Sequence, residues 1–138
     1  DPLELASYNA THDLMEMVPR LKSITPKDCD LIVRTALRST NRFGKSQMSY
    51  AFREKCDNPS KSQVDAFISA IDMKTYSRDY VRAVGEVDMP DAMKEYAIAG
   101  LQRTRERLVK AGCVPTPSEG SVVEEIDDVV KRLSYRRK

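Results

Sequence analysis

The chain has 138 residues, of which 41% are hydrophobic and 32% charged, and its formal net charge is +2. This length suits a single hydrophobic core, and this balance excludes a disordered chain. No apolar run approaches the ~20 residues that cross a bilayer, and no signal-peptide pattern is present, so we expect an intracellular protein (host cytoplasm or virion if viral) with no membrane partner. Because the first residue is Asp1 and not Met, we expect a domain excised from something longer.

The cysteines and the single histidine indicate little chemistry. Cys29, Cys56 and Cys113 are odd in number and far apart, so they match neither a disulfide framework nor a paired-cysteine metal site. We therefore expect buried or neutral thiols in a reducing compartment. A zinc ion needs four ligands, and these cysteines with the distant His12 are a poor set. We predict no metal and no cofactor.

The first half of the chain carries successive helix signals. Residues 1–18 and 25–44 each open on a cap residue followed by proline, which predicts two helices. Asn41 and Gly44 end the second helix, and Ser46 caps a third. The second helix has an apolar stripe with helical spacing. That stripe comprises Cys29, Ile32, Val33, Ala36 and Leu37.

Helix signals continue through the second half. Ser60 with Gln63 forms a capping box for a fourth helix, a fifth ends at Gly85, and the longest helix ends at Gly112. Strand alternation does not extend beyond a few residues. The sequence therefore predicts an all-α fold, a single compact bundle of six to seven helices. We divide it into a helical core of residues 1–112, a Pro-containing linker of residues 113–120, and an amphipathic C-terminal helix with a basic tail, residues 121–138.

The last helix carries an apolar stripe that something must cover. Leaving five such side chains wet would cost several kcal/mol at roughly 1.5–3 kcal/mol for each large apolar side chain. Either the helix packs back on its own domain or it packs on a second copy. We expect the second arrangement, which predicts a homodimer. The oligomerisation residues are then Val122, Ile126, Val129, Val130 and Leu133.

No catalytic constellation is evident in the sequence, so we predict that the chain is not an enzyme. Gly44, Lys45 and Ser46 resemble the end of a phosphate-binding loop. The full pattern needs a glycine where this chain has Ser39, and it needs a preceding strand where a helix is predicted. We therefore reject this motif.

Positive charge is concentrated in one stretch. Residues 31–61 contain seven basic and two acidic residues, a net of +5. Arg34, Arg38 and Arg42 follow one another at i, i+4 and i+8, and Lys45 lies at the predicted start of the third helix. Guanidinium groups beside exposed helix N–H groups make a plausible surface for phosphate. The same spacing is also typical of an ordinary solvated helix face.

The segment TNRFGKSQMSY at residues 40–50 places a basic turn between an apolar helix and a capped helix. Further on, YVRAV at residues 80–84 is followed by Met89-Pro90 and then Met93-Lys94. This order resembles the core of the pneumovirus transcription antitermination factor and the similar helical C-terminal domain of the filovirus minor nucleoprotein. The likeness covers roughly residues 10–110. Both families carry an upstream zinc finger that this chain lacks, and residues 113–138 have no counterpart in them.

The resemblance implies a non-enzymatic domain of a viral transcription cofactor. Such a domain binds RNA and a viral nucleoprotein or phosphoprotein, and it forms oligomers. On this interpretation Arg82 is the best-matched RNA-surface residue, whereas Arg42 and Lys45 rest on the charge argument. The alternative is a protein–protein interaction module of a larger intracellular protein with no nucleic-acid role.

Overall fold

The computed structural model describes residues 24–40, 42–74, 76–112 and 121–135. Within these ranges the chain forms six α-helices and no strand, which confirms the predicted all-α bundle. The predicted first helix, the linker of residues 113–120 and the basic tail beyond residue 135 lie outside the described residues. The helices are α1 Pro26–Arg38, α2 Arg42–Lys55, α3 Lys61–Ala70, α4 Ser77–Glu86, α5 Asp91–Lys110 and α6 Val122–Tyr135.

Reciprocal capping boxes begin two of these helices. The Thr25 hydroxyl accepts a hydrogen bond from the Asp28 N–H, and the Asp28 carboxylate accepts one from the Thr25 N–H. Ser60 and Gln63 make the same reciprocal pair at the start of α3. Each capping box satisfies backbone N–H groups that a helix start would otherwise leave unbonded. The capping box predicted at Ser60 is therefore confirmed.

The boundary between α1 and α2 differs from the prediction. The first helix ends at Arg38, and the second begins at Arg42, so Gly44 and Ser46 lie inside α2. The prediction that Ser46 caps a helix is therefore wrong. A glycine inside a helix costs about 1 kcal/mol relative to alanine, a small amount beside the packing of the buried Met48 and Phe52 on the same helix.

Three aromatic rings join α2, α3 and α4 at the centre of the core. The Phe52 and Phe67 ring centroids are 4.8 Å apart, and those of Phe67 and Tyr80 are 5.7 Å apart. All three side chains are buried. Tilted ring pairs at such distances contribute roughly 0.5–1.5 kcal/mol each beyond their buried area. This chain of rings therefore fixes how α2 and α4 sit relative to each other.

The C-terminal helix α6 packs on α4 and α5 of its own chain. Val122, Ile126, Val129 and Leu133 are buried, and Val130 is partly buried against the same core. The assignment of these five residues to a dimer interface is therefore corrected, because their apolar stripe is covered within the chain. Residues 121–135 belong to the same core as the other helices.

Two of the three cysteines are also placed differently from the prediction. Cys29, in the first turn of α1, is disulfide-bonded to Cys56, which directly follows α2, and their Cα atoms are 5.9 Å apart. The expectation of buried thiols was right about burial and wrong about pairing. Because 27 residues separate the two cysteines in sequence, spacing alone did not reveal that the α1–α2 hairpin brings them together. Because these two cysteines are paired, they do not support the prediction of a reducing compartment.

The close approach of Gly85 on α4 to Val129 on α6 provides a test of this packing. A Cβ added at Gly85 would lie 2.7 Å from Val129 Cγ1 and 2.8 Å from Cγ2. We predict that Gly85→Ala lowers the free energy of unfolding by about 1–3 kcal/mol through overpacking. Adding Val129→Ala should recover part of that loss, which a double-mutant cycle in urea would measure.

Gly100→Ala is the matched control. Its new Cβ would meet Ile68 Cδ1 at 2.9 Å, the far end of a flexible side chain, so the loss should be smaller. Strictly additive effects of the Gly85 and Val129 substitutions would contradict the described α4–α6 contact.

Candidate nucleic-acid interface

The three predicted arginines of the basic stretch are exposed. Arg34 and Arg38 lie one turn apart on α1, and Arg42 is the first residue of α2. Arg42 also interacts electrostatically with Asp79 of α4, which connects this end of the stretch to a second group of arginines. The structure therefore leaves these three guanidinium groups accessible to a solvent-borne partner.

Lys45 has a different environment from the one predicted. Its side chain is partly buried, and its Nζ donates hydrogen bonds to the Tyr80 hydroxyl at 3.1 Å and the Leu37 carbonyl at 3.4 Å. The ammonium also lies 5.1 Å from the Tyr76 ring centroid. Burial lowers the pKa of Lys45, and the nearby Asp72 partly opposes that shift. Lys45 thus links α1, α2 and α4, and its prediction as part of an exposed phosphate surface is corrected.

Four arginines from α2 and α4 lie near enough to Asp79 to act electrostatically on its carboxylate. We call them the arginine cluster: Arg42, Arg53, Arg78 and Arg82. Burial raises the pKa of Asp79, and all four guanidinium groups oppose that shift. The desolvation cost of this carboxylate therefore exceeds the combined attraction of its positive neighbours.

A cavity of about 300 Å³ opens between α2 and α4 beside this cluster. The Arg53 guanidinium carbon lies 4.8 Å from the centroid of the Tyr50 ring, and Tyr50 is 51% exposed. Hydroxyl, amide and guanidinium groups thus converge on one opening with an accessible aromatic ring. The lining residues are Ser46, Gln47, Ser49, Tyr50, Arg53, Asp79 and Arg82.

Carboxylates from α4 and α6 already occupy part of the arginine cluster. Arg82 pairs closely with Glu125, and Arg78 Nε lies 3.9 Å from the same carboxylate. Arg53 pairs with Glu86 at 2.8 Å. Arg82, the residue best matched to an RNA surface by the resemblance, is therefore engaged within the chain while its side chain remains 39% exposed.

Two of these guanidinium groups retain unsatisfied donors. The Nε atoms of Arg53 and Arg78 are buried and have no hydrogen-bond acceptor among the described residues. A buried donor without a partner costs about 1–3 kcal/mol, so an acceptor that reached either atom would be favoured. An anion that contacts several guanidinium groups is the acceptor that best suits such a cluster.

Arg53, Arg78 and Tyr50 carry no sequence motif that predicts them as site residues. Arg53 was counted within the basic stretch, but neither its ring contact nor its proximity to α4 has a local signal. Arg78 precedes Arg82 by one helical turn on α4, and this spacing was the one available clue.

Comparison with protein-family models, curated proteins and solved structures finds no match to this chain. None of the helices in the described ranges has both the length and the apolar composition that a membrane crossing requires. The described residues also contain no group of histidine, cysteine, aspartate or glutamate side chains that could hold a metal ion.

Lys45 can be tested as a packing residue. We predict that Lys45→Met lowers the free energy of unfolding by about 1–3 kcal/mol, because the Tyr80 hydroxyl and the Leu37 carbonyl lose their donor. Urea unfolding measures this loss. Lys61→Met is the matched control, since Lys61 is exposed and lies 5.0 Å from the Tyr96 ring centroid, a contact that contributes about 0.5–1 kcal/mol. Equal losses in the two variants would contradict the packing role.

Asp79 predicts a pH dependence of stability. Its folded-state pKa is raised above the ordinary value of 3.8, so the folded chain binds this proton before the unfolded chain does as pH falls. The contribution of Asp79 to stability therefore increases as pH falls through the raised pKa, and it is lowest when the carboxylate is ionised at pH 7. Asp79→Asn cannot take up this proton. We expect the Asp79→Asn variant to lose stability relative to the unmodified chain as pH is lowered from 7 to about 4, measured by thermal unfolding at each pH. A gain in relative stability over the same range would contradict this expectation.

Proposed function

We propose that this chain is a non-enzymatic helical domain of a viral transcription cofactor that binds RNA. The binding surface consists of the exposed arginines of α1 and the arginine cluster between α2 and α4. The observation that carries the proposal is the cavity beside Tyr50, where the Arg53 and Arg82 guanidinium groups lie next to an accessible ring and Arg53 retains an unsatisfied donor. A viral nucleoprotein or phosphoprotein is the protein partner that the sequence resemblance adds.

The chemistry of this surface fits a single-stranded polyanion. Guanidinium groups bind phosphate through paired, charge-assisted hydrogen bonds, and a phosphate would compete directly with Glu86 and Glu125 for Arg53 and Arg82. A base that stacks on Tyr50 would add roughly 1–3 kcal/mol without selecting a particular sequence. We therefore expect weak sequence selectivity and strong dependence on salt.

Arg38 and Arg42 provide the sharpest test, because both are exposed and flank the turn between α1 and α2. We predict that Arg38→Gln with Arg42→Gln weakens binding to all RNA sequences alike. Each lost phosphate contact should reduce the slope of log affinity against log salt by about 0.7, so the double variant should lose about 1.4. Fluorescence anisotropy with short single-stranded RNAs from low to moderate salt measures both quantities.

Arg103→Gln with Lys110→Gln is the charge-matched control. Both residues are exposed on α5, outside the arginine cluster, and the variant loses the same two positive charges. Equal weakening in the two double variants would mean that net charge, and not this surface, determines binding.

A protein–protein module remains the alternative function, and the three carboxylates Asp79, Glu86 and Glu125 inside the arginine cluster favour it. They reduce the positive charge that a polyanion would meet. If the intact domain binds no RNA at low salt, the RNA-binding proposal fails and a protein partner becomes the function to test.

A further inference from the structure

A second cavity lies at the opposite end of the α1–α2 hairpin from the turn that connects these helices. It measures about 760 Å³ and is formed where α1 begins, α2 ends and α3 begins. Cys29 is one of its lining residues, whereas Cys56 is not among them. The cavity therefore gives access to one partner of the disulfide. Its lining residues are Ile24, Pro26, Cys29, Glu54, Lys55, Asp57, Asn58, Pro59, Ser60 and Gln63.

We propose that Cys29 and Cys56 are a thiol–disulfide exchange site. Cys29 is the cysteine that small peptide disulfides of the glutathione class modify, and Cys56 is the cysteine that resolves the adduct. The cavity volume falls within the roughly 300–1,000 Å³ typical of small-molecule sites, so it has room for such a peptide.

Burial and helix position both distinguish the two sulfurs. Cys56 is 1% exposed and Cys29 is 6% exposed at the cavity wall. Cys29 lies in the first turn of α1, where the helix dipole stabilises a thiolate. Lys55 lines the same cavity together with the acidic Glu54 and Asp57, so the side-chain charges there add no net stabilisation. Cys56 follows the C-terminus of α2, where the dipole disfavours a thiolate. The cysteine that lines the cavity is thus also the one whose helix position favours the thiolate.

The reaction begins from the reduced chain. The Cys29 thiolate attacks one sulfur of the small disulfide, a sulfur–sulfur bond forms at Cys29, and one peptide thiolate leaves. Cys56 then loses its proton to water, and its thiolate attacks the Cys29 sulfur and releases the second peptide thiolate. The two cysteines are oxidised by two electrons, and the small disulfide is reduced to two thiols.

This bond would act as a clamp on the hairpin that carries the arginines. It joins the start of α1 to the end of α2, whereas other residues make the aromatic contacts of α2 with α3 and α4. Reduction should therefore lower the midpoint of thermal unfolding while the fold and the exposed arginines persist. The inference is independent of RNA binding.

The test uses the 138-residue chain with Cys113→Ser, so that only the two cysteines react. After reduction and removal of reductant, oxidised glutathione is added and intact mass is followed over time. With the further change Cys56→Ser, we expect one stable glutathione adduct at Cys29. With Cys29→Ser instead, adduct formation at Cys56 should be at least about tenfold slower, because Cys56 does not line the cavity and follows the C-terminus of α2. The chain with both cysteines should end as the internal disulfide with no retained adduct.

A second measurement covers the case in which a serine variant unfolds, which circular dichroism would reveal. The reduced Cys113→Ser chain is treated with iodoacetamide for short times, and peptides are mapped by mass spectrometry. Labelling of Cys29 ahead of Cys56 supports the proposal. Equal labelling in the folded chain, or no internal disulfide after exposure to oxidised glutathione, overturns it.

Discussion

The contact between α2 and α4 positions the remaining parts of this structure. Phe52 and Tyr80 both pack on Phe67, so the two helices meet at a set distance. Lys45 reinforces that contact by donating to the Tyr80 hydroxyl across the same seam. Because this contact holds α4 in place, Arg78 and Arg82 of α4 join the arginines of α2 in the arginine cluster.

The arginine cluster is also part of what holds the molecule together. Glu125 of α6 pairs with Arg82 of α4, and Glu86 receives both Arg53 of α2 and Arg132 of α6. Three helices are therefore connected by charges at the edge of the core. These carboxylates lower the net positive charge of the surface, so any polyanion that binds there must compete with ion pairs that also stabilise the fold. Because these ion pairs engage Arg53 and Arg82, the positive charge counted along the sequence exceeds the positive charge that a polyanion would meet.

The disulfide joins the open end of one helical hairpin, and part of the arginine surface lies at its closed end. Cys29 and Cys56 join the open end, whereas Arg38 and Arg42 flank the turn at the closed end. Arg53 lies in the last turn of α2, three residues before Cys56. A change at the cysteines therefore alters how firmly the hairpin is held without touching Arg38 or Arg42.

Local patterns in the amino-acid sequence were enough to predict the helical class, the cap at Ser60, the exposure of Arg34, Arg38 and Arg42, and the apolar stripe of the last helix. These features depend on spacing within one helix or on hydrogen bonds over three residues, so local chemistry specifies them. The surface that covers the stripe depends instead on how the helices pack. The same packing partly buries Lys45, brings the arginine cluster within electrostatic reach of Asp79 and places Cys29 in a disulfide with Cys56. Each of these outcomes joins residues far apart in the chain, and a sequence pattern carries no distance between separate helices.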